Sequence, residues 1–335
     1  MTTTFDQELV PGARNAIRVC LNVQPNERVT IVADRDCEDI AASLVAEIEQ
    51  VGAPYQAFIL EEVAERPLGD LPDVIAADME KSQVSILAVH VQRNELKSRM
   101  QLTDIVNRRK MRHGHMVNIN RQMMLEGMRA DFHKVDRLSS KVIDIVRGAK
   151  EVRATTKGGS NFSATLAPNY RWVKTSGLIS PDKWGNLPGG EVFTCPGEVN
   201  GTLVIDGVVG DFLCEKFGSL AATPLRLRVK ENRLVEAFSD NKELEDDFWK
   251  YTHTDENSDR VGEFAIGTNI ELKSVIGHIL QDEKFPGIHI AFGNPYGVHT
   301  GADWFSSTHI DVVATRFDIW VDGRQIMEDG KFLIE

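Results

Sequence analysis

Val29-Thr30-Ile31-Val32-Ala33 is short, β-branched and apolar throughout, which is how a strand buried on both faces reads. Asp34 to Asp36 make a polar turn after it, and residues 39–51 carry apolar side chains at helical spacing. The same alternation continues outward. Residues 55–60 and 84–91 read as strands, 94–112 as a basic helix, 115–119 as a further short strand and 131–147 as a helix. Strand, helix, strand, helix implies a parallel sheet with helical crossovers. The expected N-terminal domain, residues 1–150, is therefore α/β. No Gly-x-Gly-x-x-Gly follows any of its strands and no Gly-Lys-Ser/Thr phosphate loop is present, so no nucleotide is assigned to it.

After residue 150 the texture changes. Glycine and β-branched residues become frequent and turn signals recur. Residues 152–156 alternate, 158–161 turn, and 162–166 continue as a strand. Further strands are expected at 201–209, 225–229 and 312–321, the last returning through an Asp322-Gly323 hairpin into 324–327. Helices are expected at 241–251 and 271–280. Residues 151–335 thus read as a mixed α+β, largely antiparallel domain.

The chain has 335 residues and 42% hydrophobic side chains, enough for two domains with proper cores. A formal charge of −12 and a pI near 5.3 argue against nucleic acid or an anionic membrane as partner. Cys20, Cys37, Cys195 and Cys214 form no Cys-x-x-Cys pair, so reduced thiols and a cytoplasmic location are expected. The N-terminal residues do not read as a signal peptide, and no run of eighteen apolar residues suggests a membrane span.

The chemistry-bearing residues lie in the second half. In Thr308-His309-Ile310-Asp311-Val312 the period of a strand sends His309 and Asp311 to one side, about 7 Å apart at the backbone. An imidazole and a carboxylate so placed can converge on one cation, although a histidine hydrogen-bonded to a nearby aspartate is the commoner meaning of such a pair. His289 stands alone in the apolar run 287–293; a lone histidine there is usually a satisfied core residue. Tyr296, in Gly293-Asn294-Pro295-Tyr296-Gly297, is either a packing lid or a phenolic donor to an oxyanion. Glu191 follows Leu187-Pro188-Gly189-Gly190, and Glu263 lies in Gly262-Glu263-Phe264-Ala265-Ile266-Gly267. If buried, these carboxylates need partners, and one metal can serve several at once.

Together, Glu191 in LPGGEVFTCP, Glu263 in GEFAIGTN, His289 in DEKFPGIHIAFG, Tyr296 seven residues on, and His309 with Asp311 in THID resemble the aminopeptidase T and aminopeptidase S family of metallopeptidases. The resemblance spans roughly residues 150–325. It implies that Glu191, Glu263, His289, His309 and Asp311 bind two divalent metals such as zinc, cobalt or manganese, and that Tyr296 assists catalysis; the general base is Glu191 or Glu263. It also implies a homodimer enclosing its active sites and acting on short peptides or small amides. The chain departs from the family in a shorter N-terminal domain, in Ile310 where an aromatic is usual, in the loop 301–306, and in an additional His299.

The sequence is also similar to dihydroxypyridine ring-cleaving dioxygenases, which share the terminal His-x-Asp pair and bind one iron(II) through two histidines and a carboxylate. The presence of Glu191 favours the hydrolase, since a donor set rich in carboxylates suits two metals sharing a bridge. A catalytically silent metal-binding protein is the third reading.

Overall fold

The computed structural model describes residues 4–92, 94–181 and 185–334. The chain divides into two compact units, Met1–His133 with Gly177–Gly189, and Lys134–Ser176 with Gly190–Glu335. The expected division near residue 150 and this one differ by the helix Phe132–Val146 and by a segment that returns to the first unit.

The first unit holds β1 (Val29–Ala33), β2 (Tyr55–Ile59), β3 (Val84–Ala88) and β4 (Arg112–His115), all parallel in the order β2-β1-β3-β4, with Gly185–Asn186 beside β4. Every residue of β1 and β3 is buried, as expected of central strands covered on both faces. The strand expected at 115–119 lies earlier, at β4: the chain after Met116 turns through Asn118, whose φ of 59° is left-handed and ends extended pairing. The polar turn after β1 exposes Arg35 and Asp36 but not its first residue. Asp34 is buried, accepting from the His90 and Cys37 N–H groups and pairing with Arg66 at 2.9 Å.

The second unit has two antiparallel sheets. The larger runs through Arg233–Phe238, Leu225–Lys230, Glu198–Ile205, Asn161–Thr165, Glu151–Thr156, Phe317–Val321, Arg324–Glu328 and Lys331–Phe332 in that spatial order. The smaller contains β5 (Val173–Thr175), β6 (Glu191–Thr194), β7 (Val261–Gly267), β8 (Gly287–Gly293) and β9 (His309–Val313), ordered β9-β8-β7-β6-β5. Alternate residues of its strands, including Phe264, Ile266, Ile288, Ile290, Phe292, Ile310 and Val312, enter one core shared with the larger sheet.

The single strand expected at 312–321 is two strands in different sheets, β9 and Phe317–Val321. The chain breaks at Thr315, whose N–H and hydroxyl both bond Asp206, and at Arg316, with φ 56°. The helix expected at 271–280 is a loop ending in the short helix Ile279–Asp282. Buried Asp282 accepts the N–H groups of Ile276, Gly277 and His278, giving the backbone a local alternative to helical bonding.

Candidate metal centre

The sheet register builds the site. Paired residues of antiparallel strands point to the same face. Glu263 of β7 lies opposite Ala291 of β8, which lies opposite Asp311 of β9. Phe193, Ala265 and His289 share the next rung, Glu191 pairs with Gly267, and His309 pairs with Gly293. Alanine and glycine therefore stand between the polar side chains and leave the space above the sheet open to them.

Glycine is required beside one donor. A Cβ on Gly262 would lie 2.0 Å from the carbonyl oxygen of Gly293, so only glycine permits the bulge between Val261 and Glu263. Gly190, expected to let backbone approach a ligand before Glu191, has φ 134° and is backed by Asn269, whose Cβ would lie 2.6 Å from an added Cβ. Its conformation serves packing.

All five expected donors converge. Going around the site, Glu191 Oε2 lies 3.4 Å from His289 Nε2, and His289 Nε2 lies 3.5 Å from Glu263 Oε1. Glu263 Oε2 lies 3.6 Å from His309 Nε2, which is 3.5 Å from Asp311 Oδ2. These are longer than hydrogen bonds between such groups. They match donors around a shared cation: tetrahedral bonds of about 2.1 Å separate ligand atoms by about 3.4 Å. Glu191 Oε2 and His289 Nε2 are buried with no hydrogen-bond partner among the described residues, a costly arrangement unless something else satisfies them. His309 Nδ1 lies 2.9 Å from the Asn294 carbonyl; donating there directs the Nε2 lone pair into the site, as metal-binding histidines do. The residues present fit divalent cations.

The electrostatics agree. Burial alone would lower the pKa of His289, but the carboxylates of Glu191 and Glu263 outweigh it and push the value up to about 10. Burial of His309 is likewise outweighed, chiefly by Asp311, giving about 10. Burial raises Glu263 above the usual carboxylate range despite both histidines. Without a metal, protons must neutralise this cluster.

Sequence reasoning missed three neighbours. Lys284, with no exposed surface, donates to Glu191 Oε1 at 2.7 Å and is ion-paired to Glu283. Thr175 Oγ1 donates to the same Glu191 oxygen at 2.9 Å. Glu191 is held at about 2: its burial is outweighed by the Lys284 and His289 charges. Glu283 also completes a group with Glu191 and His289 in which all donor atoms lie within 4.8 Å. The only sequence signal was Glu283-Lys284 directly before an apolar strand, which ordinarily means a solvated turn.

Tyr296 sits at the rim, 42% exposed, with its ring 4.4 Å from that of His309. His299 is exposed on the following helical turn, where its carbonyl accepts from Arg171. Trp304 packs beneath the Arg260 guanidinium at 4.2 Å.

A buried cluster of carboxylates and imidazoles on one sheet face is the construction of a metalloenzyme. Residues 109–331 match the thermophilic metalloprotease (M29) family. The chain belongs to that family and is a metallopeptidase, as the sequence resemblance implied. No curated relative matches. Among solved structures, wild-type AmpT from Thermus thermophilus is similar at TM-score 0.74 and 16% identity, over 99% of this chain and 100% of that one. A 2,5-dihydroxypyridine dioxygenase from Pseudomonas putida KT2440 is similar at TM-score 0.70 and 14% identity, over 98% and 97%. The α/β unit followed by the α+β unit is thus a shared fold.

Proposed function

We propose that the protein is a two-ion aminopeptidase that removes N-terminal residues from short peptides or cleaves small amides. The observation that carries this reading is Glu263, which turns Oε1 to His289 and Oε2 to His309. A carboxylate so placed could serve two ions, which Glu191, His289, His309 and Asp311 would help to hold. When bound, divalent ions supply Lewis acidity toward the scissile carbonyl and lower the pKa of water. Glu191 Oε2, the oxygen that Lys284 and Thr175 leave unengaged, would serve either as a metal donor or as the acceptor for a proton from water. The Tyr296 hydroxyl, protonated at neutral pH, donates to the oxyanion that develops on the carbonyl.

The iron(II) ring-cleaving alternative needs one face of three donors and open positions. Two further buried glutamates beside the His309–Asp311 pair favour the hydrolase. The closing experiment is direct. Metal-stripped protein is reloaded with zinc, cobalt or manganese and offered dipeptides and aminoacyl amides, then loaded with iron(II) and offered dihydroxypyridines. Ring cleavage without peptide hydrolysis would sink the proposal.

A homodimer is also proposed. Val298 (89% exposed), Phe305 (69%) and Tyr296 lie between the strands that carry His289 and His309 and expose apolar surface to water. Light scattering should give about twice the 37.4 kDa chain mass, and a folded globular protein should resist digestion while dipeptides are cleaved. A cytoplasmic setting is supported by four cysteines that are free and buried. Among the described residues no helix is long and apolar enough to cross a membrane.

A further inference from the structure

We propose that Lys284 makes the two cation positions unequal: an ion is held tightly among Glu263, His309 and Asp311, and loosely among Glu191, His289 and Glu263. The inference rests on the two-position reading of the site and concerns binding rather than peptide cleavage.

Lys284 is a resident cation. Its side chain has no exposed surface, and its Nζ lies 2.7 Å from Glu191 Oε1, so its charge is answered by the carboxylates rather than by water. Glu191 therefore meets any incoming ion with one oxygen only; the other is engaged by Lys284 and Thr175. The ammonium and an ion at Oε2 would sit on opposite oxygens of one carboxylate, in a buried setting where like charges repel strongly. Lys284 also diverts Glu283, which would otherwise be a third carboxylate for the same ion.

The other position carries no such handicap. Among the described residues, no lysine or arginine is ion-paired with Glu263 or Asp311; their charged contacts are the two histidines. His309 is oriented by the Asn294 carbonyl, and Asp311 lies on β9, three strands from Glu191 on β6. Glu263 is shared between the two positions, but neither it nor Asp311 is engaged by a resident cation, and their donor atoms lie within 4.8 Å of each other and of His289.

The test is a metal titration of the stripped full-length protein, with free manganese(II) followed by electron paramagnetic resonance and cobalt(II) by equilibrium dialysis. The wild-type protein should bind two ions in separate steps, with dissociation constants at least about tenfold apart. His289→Ala should remove the weaker step and Asp311→Ala the tighter one. Lys284→Met should bring the two constants together by strengthening the weaker step, while Lys284→Arg should keep them apart. Two equal steps in the wild type, an unchanged gap in Lys284→Met, or a weak step that survives His289→Ala would each overturn the proposal. If Lys284→Met does not fold, Lys284→Gln, which can keep a hydrogen bond to Glu191 without the charge, is titrated in its place and should likewise bring the two constants together; an unchanged gap there overturns the proposal. Cleavage of dipeptides is scored separately. Unequal binding without cleavage refutes the aminopeptidase reading alone, and cleavage with two equal sites refutes this inference alone.

Discussion

The ring of Tyr296 lies 4.4 Å, centroid to centroid, from the ring of His309, at an interplanar angle of 45°. The contact places a phenol at the edge of the donor cluster on a residue with left-handed φ of 48°, a conformation that costs energy in a bulky side chain. If the hydroxyl donates to an oxyanion, Tyr296→Phe keeps the ring contact and lowers kcat by about 10²- to 10³-fold. KM should hardly change, because the bond forms mainly in the transition state. A kcat within about threefold of wild type returns Tyr296 to a packing role.

Asp311 and His309 are the donors whose removal should be felt most. His309→Ala or Asp311→Ala should abolish peptide hydrolysis and lower the metal content of the purified protein, with the circular dichroism spectrum retained. Full metal occupancy in His309→Ala, measured by mass spectrometry of the metal, would contradict the assignment.

Gly262 is expected to be intolerant of any side chain. Gly262→Ala sets a Cβ against the Gly293 carbonyl at 2.0 Å unless β7 and β8 part. We expect a loss of about 1–3 kcal/mol in urea unfolding together with lower metal affinity, because Glu263 is the next residue. Unchanged stability would show that the bulge can relax.

In the first unit, Arg66 holds Asp34 at 2.9 Å and Glu95 at 2.7 Å, all three side chains nearly inaccessible. Arg66→Met leaves two buried carboxylates without their cation and should cost about 3–5 kcal/mol. An unfolding midpoint within error of wild type would mean that water reaches the cluster.

Glu95 links the same cluster to pH. Its burial alone would raise the carboxyl, but Arg66 and the N–H groups of Leu68 and Gln92 outweigh it and hold the pKa below the ordinary value. A lowered folded pKa contributes stability that is present above the unfolded carboxyl value of about 4.3 and lost as pH falls through the folded value. Glu95→Gln should therefore destabilise the protein at neutral pH and flatten its loss of stability below about pH 4. Equal acid slopes in the two proteins, from urea midpoints across that range, would exclude Glu95 as the linked group.

Much of the site was legible because a strand has a period of two. His309 and Asp311 announce a shared face by their spacing alone, and residues 29–33 announce a central strand by composition. Glycine beside Glu191 and Glu263 marked both as unusual positions. Local pattern misled where a distant side chain intervened. Residues 271–280 have helical texture, but Asp282 captures the backbone N–H groups just before it. Residues 312–321 read as continuous until Asp206, more than a hundred positions away, seizes Thr315.

Donor types and their order along the chain were thus determined by sequence alone, since each is a local fact of identity and spacing. Which oxygen faces which histidine was decided only by strand register, because pairing Gly267 with Glu191 and Ala291 with Asp311 brings together residues far apart in the chain. The same register carries Glu191 to Lys284. A lysine in a charged turn belongs in water by every local criterion, and only the tertiary structure, by closing two carboxylates around it, buries it beside Glu191.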